Sequence, residues 1–220
     1  MNGFKQIIIL TFFLEFLFSC DMAEVDGEAL VSIYMKSINQ KNEKYNRASG
    51  FFISPTDILT AYHLTKGKVK DHFYIKVQKD GKYFAVRKAR LVRTNKNYDL
   101  ALIRTLNYET NAYLNICKNS KVFDEVVAAE YAQDEPDLSY GAIFLKGSLW
   151  IKTTTVSVPG RSGAPLINVK RGCVEGIIKG SVTTRRKSYI ASFGTYAEHI
   201  NQFLNYYPGS WGSDIEYVEK

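Results

Sequence analysis

Cysteine and histidine are scarce: the 220-residue chain has three of each. Cys20, Cys117 and Cys173 stand far apart, and His63, His72 and His199 lie alone. No metal-type Cys/His spacing results, so neither a metal nor any other cofactor is expected. Long Ala/Leu/Glu/Lys runs, which build helical bundles, are few. Internal repeats, a long linker to a second module and nucleic-acid-binding motifs are all missing, so solenoid arrays and nucleic-acid partners are not expected. The apolar stretch at residues 6–18 follows Lys5 and is interrupted by Glu15. It falls short of the roughly 20 residues that a membrane-spanning helix needs, and it reads as the core of a signal peptide.

What the chain does have is aromatic and apolar residues: 15 Tyr, 13 Phe and 45% hydrophobic overall. Such side chains pack well on pleated surfaces, which favours an all-β fold. Strand-like runs recur at Leu30–Ile38, Ser49–Ile53, Phe73–Gln78, Tyr83–Arg93 and Leu100–Arg104. A second series covers Glu125–Tyr131, Gly141–Leu145, Trp150–Val156, Pro165–Asn168, Cys173–Ile178 and Tyr189–Phe193. Asp80-Gly81 between two runs predicts a tight hairpin. Tyr196–Tyr206 puts Ile200, Phe203 and Leu204 on one face of a short amphipathic helix. Two sets of strands, about 29–105 and 124–195, joined by a mid-chain segment, suit two packed barrels. A single β-sandwich gives a similar pattern.

The net charge is +7. Removing residues 1–20 deletes only Lys5 and Glu15, so 28 basic and 21 acidic residues remain and the charge is unchanged. A basic surface favours acidic partners, although Arg185, Arg186 and Lys187 also read as a solvated hairpin tip. Leu17-Phe18-Ser19-Cys20 resembles the lipobox of bacterial lipoproteins, in which the cysteine is lipidated and becomes the first mature residue. That resemblance implies an exported, membrane-anchored protein, with residues 21–28 as a tether and contact with membrane lipid through Cys20. Phe18 is bulkier than the usual residue, and ordinary cleavage near Ala23, giving a secreted protein, or a retained anchor are the alternatives. For Cys117 and Cys173, a disulfide and two buried thiols both fit. Residues 207–220 read as a polar tail.

Three segments carry chemistry. Gly50-Phe51-Phe52-Ile53 followed by Leu59-Thr60-Ala61-Tyr62-His63 reads as a strand, a turn and a second strand ending in a histidine. Asp99-Leu100-Ala101-Leu102-Ile103 places a carboxylate directly before an apolar strand, and Gly160-Arg161-Ser162-Gly163-Ala164-Pro165 is a Gly-rich loop around a serine. Each alone is weak. Together, in the order His, Asp, Ser and each with a flanking strand, they resemble the trypsin-like (chymotrypsin-fold) serine peptidases of bacterial type, and Cys173–Ile178 matches the strand after the nucleophile. The resemblance covers most of residues 30–205, within a peptidase domain expected over 29–206. It implies two six-stranded antiparallel β-barrels with a short C-terminal helix, and a serine endopeptidase acting on proteins or peptides. It also implies a catalytic triad of His63, Asp99 and Ser162, with an oxyanion hole formed by the Gly160 and Ser162 amides.

Departures carry information too. Digestive-type relatives have an Asp before the nucleophile that pairs with a new amino terminus after cleavage, whereas Arg161 stands there in this chain, so that activation route is not expected. No appended peptide-binding module is expected after residue 206. By the same resemblance Val156 lies at the base of the substrate pocket, with Lys179, Gly180 and Ser181 along its wall. An uncharged base disfavours a Lys or Arg requirement, and Lys179 favours an acidic or small side chain. The alternative function is a non-catalytic or latent binding protein, membrane-anchored, on a protease scaffold.

Overall fold

Hydrophobic residues alternate along the strands so that each strand can bury both faces. In β1 (Leu30–Ser37), Val31, Ile33 and Met35 point into one cluster while Leu30 joins another. Such strands require a closed sheet packed against a second body. The computed structural model, which describes residues 27–37, 45–66, 68–79, 82–132, 135–183 and 189–205, has that arrangement. A first closed barrel runs in the order β1-β2-β3-β6-β5-β4 and a second in the order β10-β11-β12-β9-β8-β7.

The first barrel comprises β1, β2 (Tyr45–Phe52), β3 (Asp57–Ala61), β4 (Lys68–Lys79), β5 (Lys82–Asn95) and β6 (Leu100–Thr105). The second comprises β7 (Glu125–Ala132), β8 (Glu135–Lys146), β9 (Ile151–Thr153), β10 (Pro165–Asn168), β11 (Val174–Thr183) and β12 (Tyr189–Tyr196). All pairings between these strands are antiparallel. Among the described residues there are also two short α-helices, α1 (Tyr62–Thr65) and α2 (Ala197–Asn205), the second burying Ile200 and Phe203. The fold is thus the expected pair of six-stranded barrels, not a single sandwich. The Asp80-Gly81 turn lies outside the described residues, although Lys79 pairs with Lys82 on either side of it. Residues 1–26, which include Cys20, the Arg185–Lys187 segment and residues 206–220 also lie outside them.

Three apolar clusters follow from the alternation. Phe52, Ile58, Phe73 and Ile75 fill the first barrel, and Val126, Ile143, Leu166 and Ile178 fill the second. Phe51, Leu59, Leu100, Val127, Ile167, Ile177, Ile200 and Phe203 form the seam between them. The linker after β6 is tied to the second barrel by a disulfide between Cys117 and Cys173, whose Cα atoms are 5.1 Å apart. Beside it, the Cys117 amide donates to the Val174 carbonyl at 2.9 Å.

Near this seam Glu175 is fully buried, accepting from Asn168 Nδ2 at 2.8 Å and from Arg171. Among the described residues its Oε2 has no donor. Burial, above all, pushes its carboxyl above the ordinary 4.5, with the adjacent Asp124 carboxyl adding to the effect against its donors.

Two stability outcomes are expected. The disulfide closes a loop with a sequence separation of 56. Replacing both cysteines by serine should cost about 2–4 kcal/mol in urea denaturation while the far-UV signature of the native protein persists. A carboxyl whose folded-state pKa is raised destabilises the fold as pH climbs from its unfolded value through its folded one. Glu175→Gln should therefore melt above the parent at neutral pH, and the difference should close as pH falls below 4.5.

Candidate active site

His63 does not end a strand. β3 stops at Ala61 and the chain turns into the single-turn α1, because the Asp99 carbonyl captures the Tyr62 amide at 3.1 Å and Thr65 Oγ1 donates to the Tyr62 carbonyl at 2.8 Å. The imidazole consequently projects from the barrel rim with its side chain 43% exposed. Asp99 closes the turn before β6 in a left-handed conformation, φ 56°, which aspartate tolerates better than most residues. Both of its carboxylate oxygens are committed to one residue. Oδ1 accepts the His63 main-chain N–H at 2.8 Å and Oδ2 lies 2.8 Å from His63 Nδ1. A carboxylate at Nδ1 fixes the proton there and leaves Nε2 as a base.

Ser162 comes from the other barrel, on the loop between β9 and β10. Arg161 N–H donates to the Val158 carbonyl at 3.1 Å across a turn with Pro159 at its second position and Gly160 at its third. Gly160 has φ 101°, the sign a type II turn needs at that position. Among the described residues, neither the Gly160 amide nor the Ser162 amide has an acceptor. Two unpaired N–H groups flanking a serine hydroxyl suit an oxyanion site. The Ser162 hydroxyl donates to the Lys179 carbonyl at 3.1 Å, and no hydrogen bond joins it to His63. The pair His63–Asp99 is thus assembled, while the serine is turned toward β11.

The residues assigned to the substrate pocket sit around this loop. Val156 lies near its start, 39% exposed, with its amide donating to Ser139 Oγ at 2.8 Å. Lys179, Gly180 and Ser181 follow along β11, half-buried. A methyl group added at Gly180 would approach the Phe193 ring to 3.0 Å, so the wall is partly aromatic. Burial lowers the Lys179 ammonium pKa, and the negative charge of Asp99 opposes that shift. Next to Val156, the hydroxyls of Thr153, Thr155 and Ser192 meet one another at 2.6–2.7 Å with no exposure to solvent. Three hydroxyls can satisfy one another in a ring, each donating once and accepting once.

Sequence reading singles out Arg161 only as a departure and misses Glu130, Asp137 and Ser49, which hold the serine loop with it. Arg161 is buried against Glu130 and Asp137, and Ser49 reaches both Glu130 and the loop. A signal was present: Glu130 follows Val126 and Ala128 at period two, a charge on the inward face of an apolar strand. No group of three His, Cys, Asp or Glu side chains suited to a metal occurs among the described residues.

Gly163 is the tightest point, with φ 89° and a position where a Cβ would lie 2.0 Å from the Ser49 carbonyl oxygen and 2.3 Å from Thr60 Oγ1. Gly163→Ala is expected to lose about 2–4 kcal/mol of stability in urea denaturation, because strained backbone and overpacking combine.

Known proteins share this fold and family. A family profile described as the trypsin-like peptidase domain matches residues 48–177, a span that includes His63, Asp99 and Ser162. The solved structure of the serine endoprotease from Yersinia pestis superposes with a TM-score of 0.65 at 21% identity, covering 83% of this chain and 63% of that one. This chain therefore spans less than two thirds of that protein, and the likeness is one of fold. Comparison with curated protein sequences gave no match. The matched span exceeds half of the sequence and carries the paired histidine and aspartate, so the chain belongs to the trypsin-like peptidase family.

Proposed function

We propose that the chain is a serine endopeptidase in which His63 is the general base, Asp99 its orienting carboxylate and Ser162 the nucleophile. The observation that carries this reading is the pair of hydrogen bonds between Asp99 and His63, one at the ring and one at the main chain, together with a serine flanked by two amides that have no acceptor among the described residues. In the reaction Ser162 Oγ leaves the Lys179 carbonyl, gives its proton to His63 Nε2 and attacks the peptide carbonyl. The Gly160 and Ser162 amides hold the oxyanion of the tetrahedral intermediate. The imidazolium returns its proton to the leaving amine, and water then hydrolyses the acyl-enzyme. No cofactor takes part in these steps.

The pocket residues Val156, Lys179, Gly180 and Ser181 favour a small or acidic side chain before the cleaved bond. A half-buried ammonium and a partly aromatic wall support that preference over a basic one. Export is supported by the Cys117–Cys173 disulfide, since such bonds persist in oxidising compartments, and lipidation at Cys20 would tether the enzyme to a membrane.

One observation favours a second reading, a latent enzyme or binding protein: the Ser162 hydroxyl rests on Lys179, not on His63. Fluorophosphonate labelling of the purified full chain separates the two. Rapid labelling at Ser162, lost in Ser162→Ala and reduced about 10³- to 10⁴-fold in His63→Ala and Asp99→Asn, is expected of the triad. A folded parent protein that does not label would overturn the endopeptidase reading in favour of the latent one.

A further inference from the structure

Arg161 directly precedes the proposed nucleophile, and its side chain is only 3% exposed. A guanidinium keeps its proton in any protein environment, so burial is tolerable only if acceptors meet its nitrogens. Here all three nitrogens are met. Nε donates to Glu130 Oε1 at 2.9 Å, Nη2 lies 2.6 Å from Asp137 Oδ2, and Nη1 donates to the Val156 carbonyl. Glu130 is itself 1% exposed. Its other oxygen lies 2.9 Å from Ser49 Oγ and 3.4 Å from Arg47 Nη2. Ser49 Oγ is also 2.8 Å from the Gly160 carbonyl, so its single proton is shared between two acceptors.

The assembly contains two cations, Arg47 and Arg161, and two anions, Glu130 and Asp137, drawn from both barrels and from the serine loop. It grips that loop at three points: the Val156 carbonyl, the Gly160 carbonyl through Ser49, and Arg161 itself. The two free amides, those of Gly160 and Ser162, flank the third grip on either side. The peptide plane between them, that of the Gly160 carbonyl, is held by Ser49, and the Arg161 side chain that follows it is held by buried, charge-assisted contacts. A lysine could not make these contacts, because its point charge lacks the fork that reaches three acceptors lying in different directions.

We propose that Arg161 is the positioning residue of the oxyanion site, held by Glu130 and Asp137. The loop is then set by ion pairs encoded within the chain, and no cleavage is required to create a partner for the residue before the nucleophile. The consequence for rate rests on the serine endopeptidase reading, whereas the consequence for loop order does not.

The test compares the full chain with Arg161→Lys, Glu130→Gln and Ser49→Ala, using a fluorophosphonate probe over a range of concentrations together with hydrogen exchange of peptides covering residues 157–162. Arg161→Lys should lower the maximal labelling rate about 10²-fold and Glu130→Gln about 10-fold, with apparent probe affinity within about threefold and labelling still stoichiometric. Exchange in the loop should quicken by about 10-fold or more while the barrel strands keep their protection. If Arg161→Lys fails to fold, Ser49→Ala, which removes only the grip on Gly160 and one bond to Glu130, should still slow labelling about 3- to 10-fold. Unchanged rate and unchanged loop exchange in the variants would overturn the proposal. So would a reduced labelled fraction at the parent rate, which is the mark of mere instability. Loosening of the loop in the variants of a protein that never labels would sink the nucleophile assignment and leave the positioning role standing.

Discussion

The Ser49 amide donates to the Ser162 carbonyl at 3.0 Å, and that contact sets the terms for everything around the site. His63 and Asp99 stand on the first barrel and Ser162 on the second, so the chemistry proposed for them depends on how rigidly two separately closed sheets are joined. Gly163 allows the join. Its φ of 89° and lack of a Cβ let the serine loop lie directly on β2, where Thr60 Oγ1 donates to the same Ser49 carbonyl at 2.7 Å. Beneath this polar contact the seam of Phe51, Leu59, Leu100, Val127 and Ile177 supplies the apolar area that holds the barrels together. Close-packed cores transmit displacement and do not absorb it. A shift of either barrel would therefore reach His63 and Ser162 together.

Charge near the site is organised against the trend of the whole molecule. The chain carries a net +7, yet the groups around the serine loop balance: Arg47 and Arg161 against Glu130 and Asp137. The excess positive charge lies elsewhere and bears on encounter with acidic surfaces, not on the chemical step. Asp99 is a different case. Its charge is spent locally on two hydrogen bonds to one residue, which fixes both where His63 sits and which ring nitrogen is free. Orientation and tautomer thus come from a single carboxylate.

Much of this was legible in sequence, and the parts that were not share a cause. Strand alternation and three flanked motifs point to two barrels and single out His63, Asp99 and Ser162 as candidates, because both signals are local. The one-turn helix under His63 was hidden, since it depends on the Asp99 carbonyl reaching Tyr62 from 37 residues away. The disulfide was equally undecided: Cys117 and Cys173 sit in apolar contexts that suit free thiols, and only the docking of the linker beside Val174 brings them together. In sequence Arg161 reads only as a departure, because Glu130 and Asp137 are its partners only once β7 and β8 are folded against the loop. Long-range pairing of charges leaves at most a weak local trace, as Glu130 does on the inward face of β7.

The resting position of the Ser162 hydroxyl can be weighed by magnitude. Its bond to the Lys179 carbonyl is a neutral one at 3.1 Å, partly exchangeable for a bond to His63 or to water, so giving it up costs about 0.5–1.5 kcal/mol. That corresponds to roughly tenfold in rate at most. Amides held ready for the oxyanion contribute about 3–4 kcal/mol each. A loop that lost their alignment would forfeit far more than a serine that must first turn. In the proposed mechanism the order of the loop therefore matters more to rate than the resting rotamer of its serine. The structure follows that ranking: the hydroxyl is lightly held, whereas the loop behind it is gripped by a buried guanidinium with an acceptor at every nitrogen.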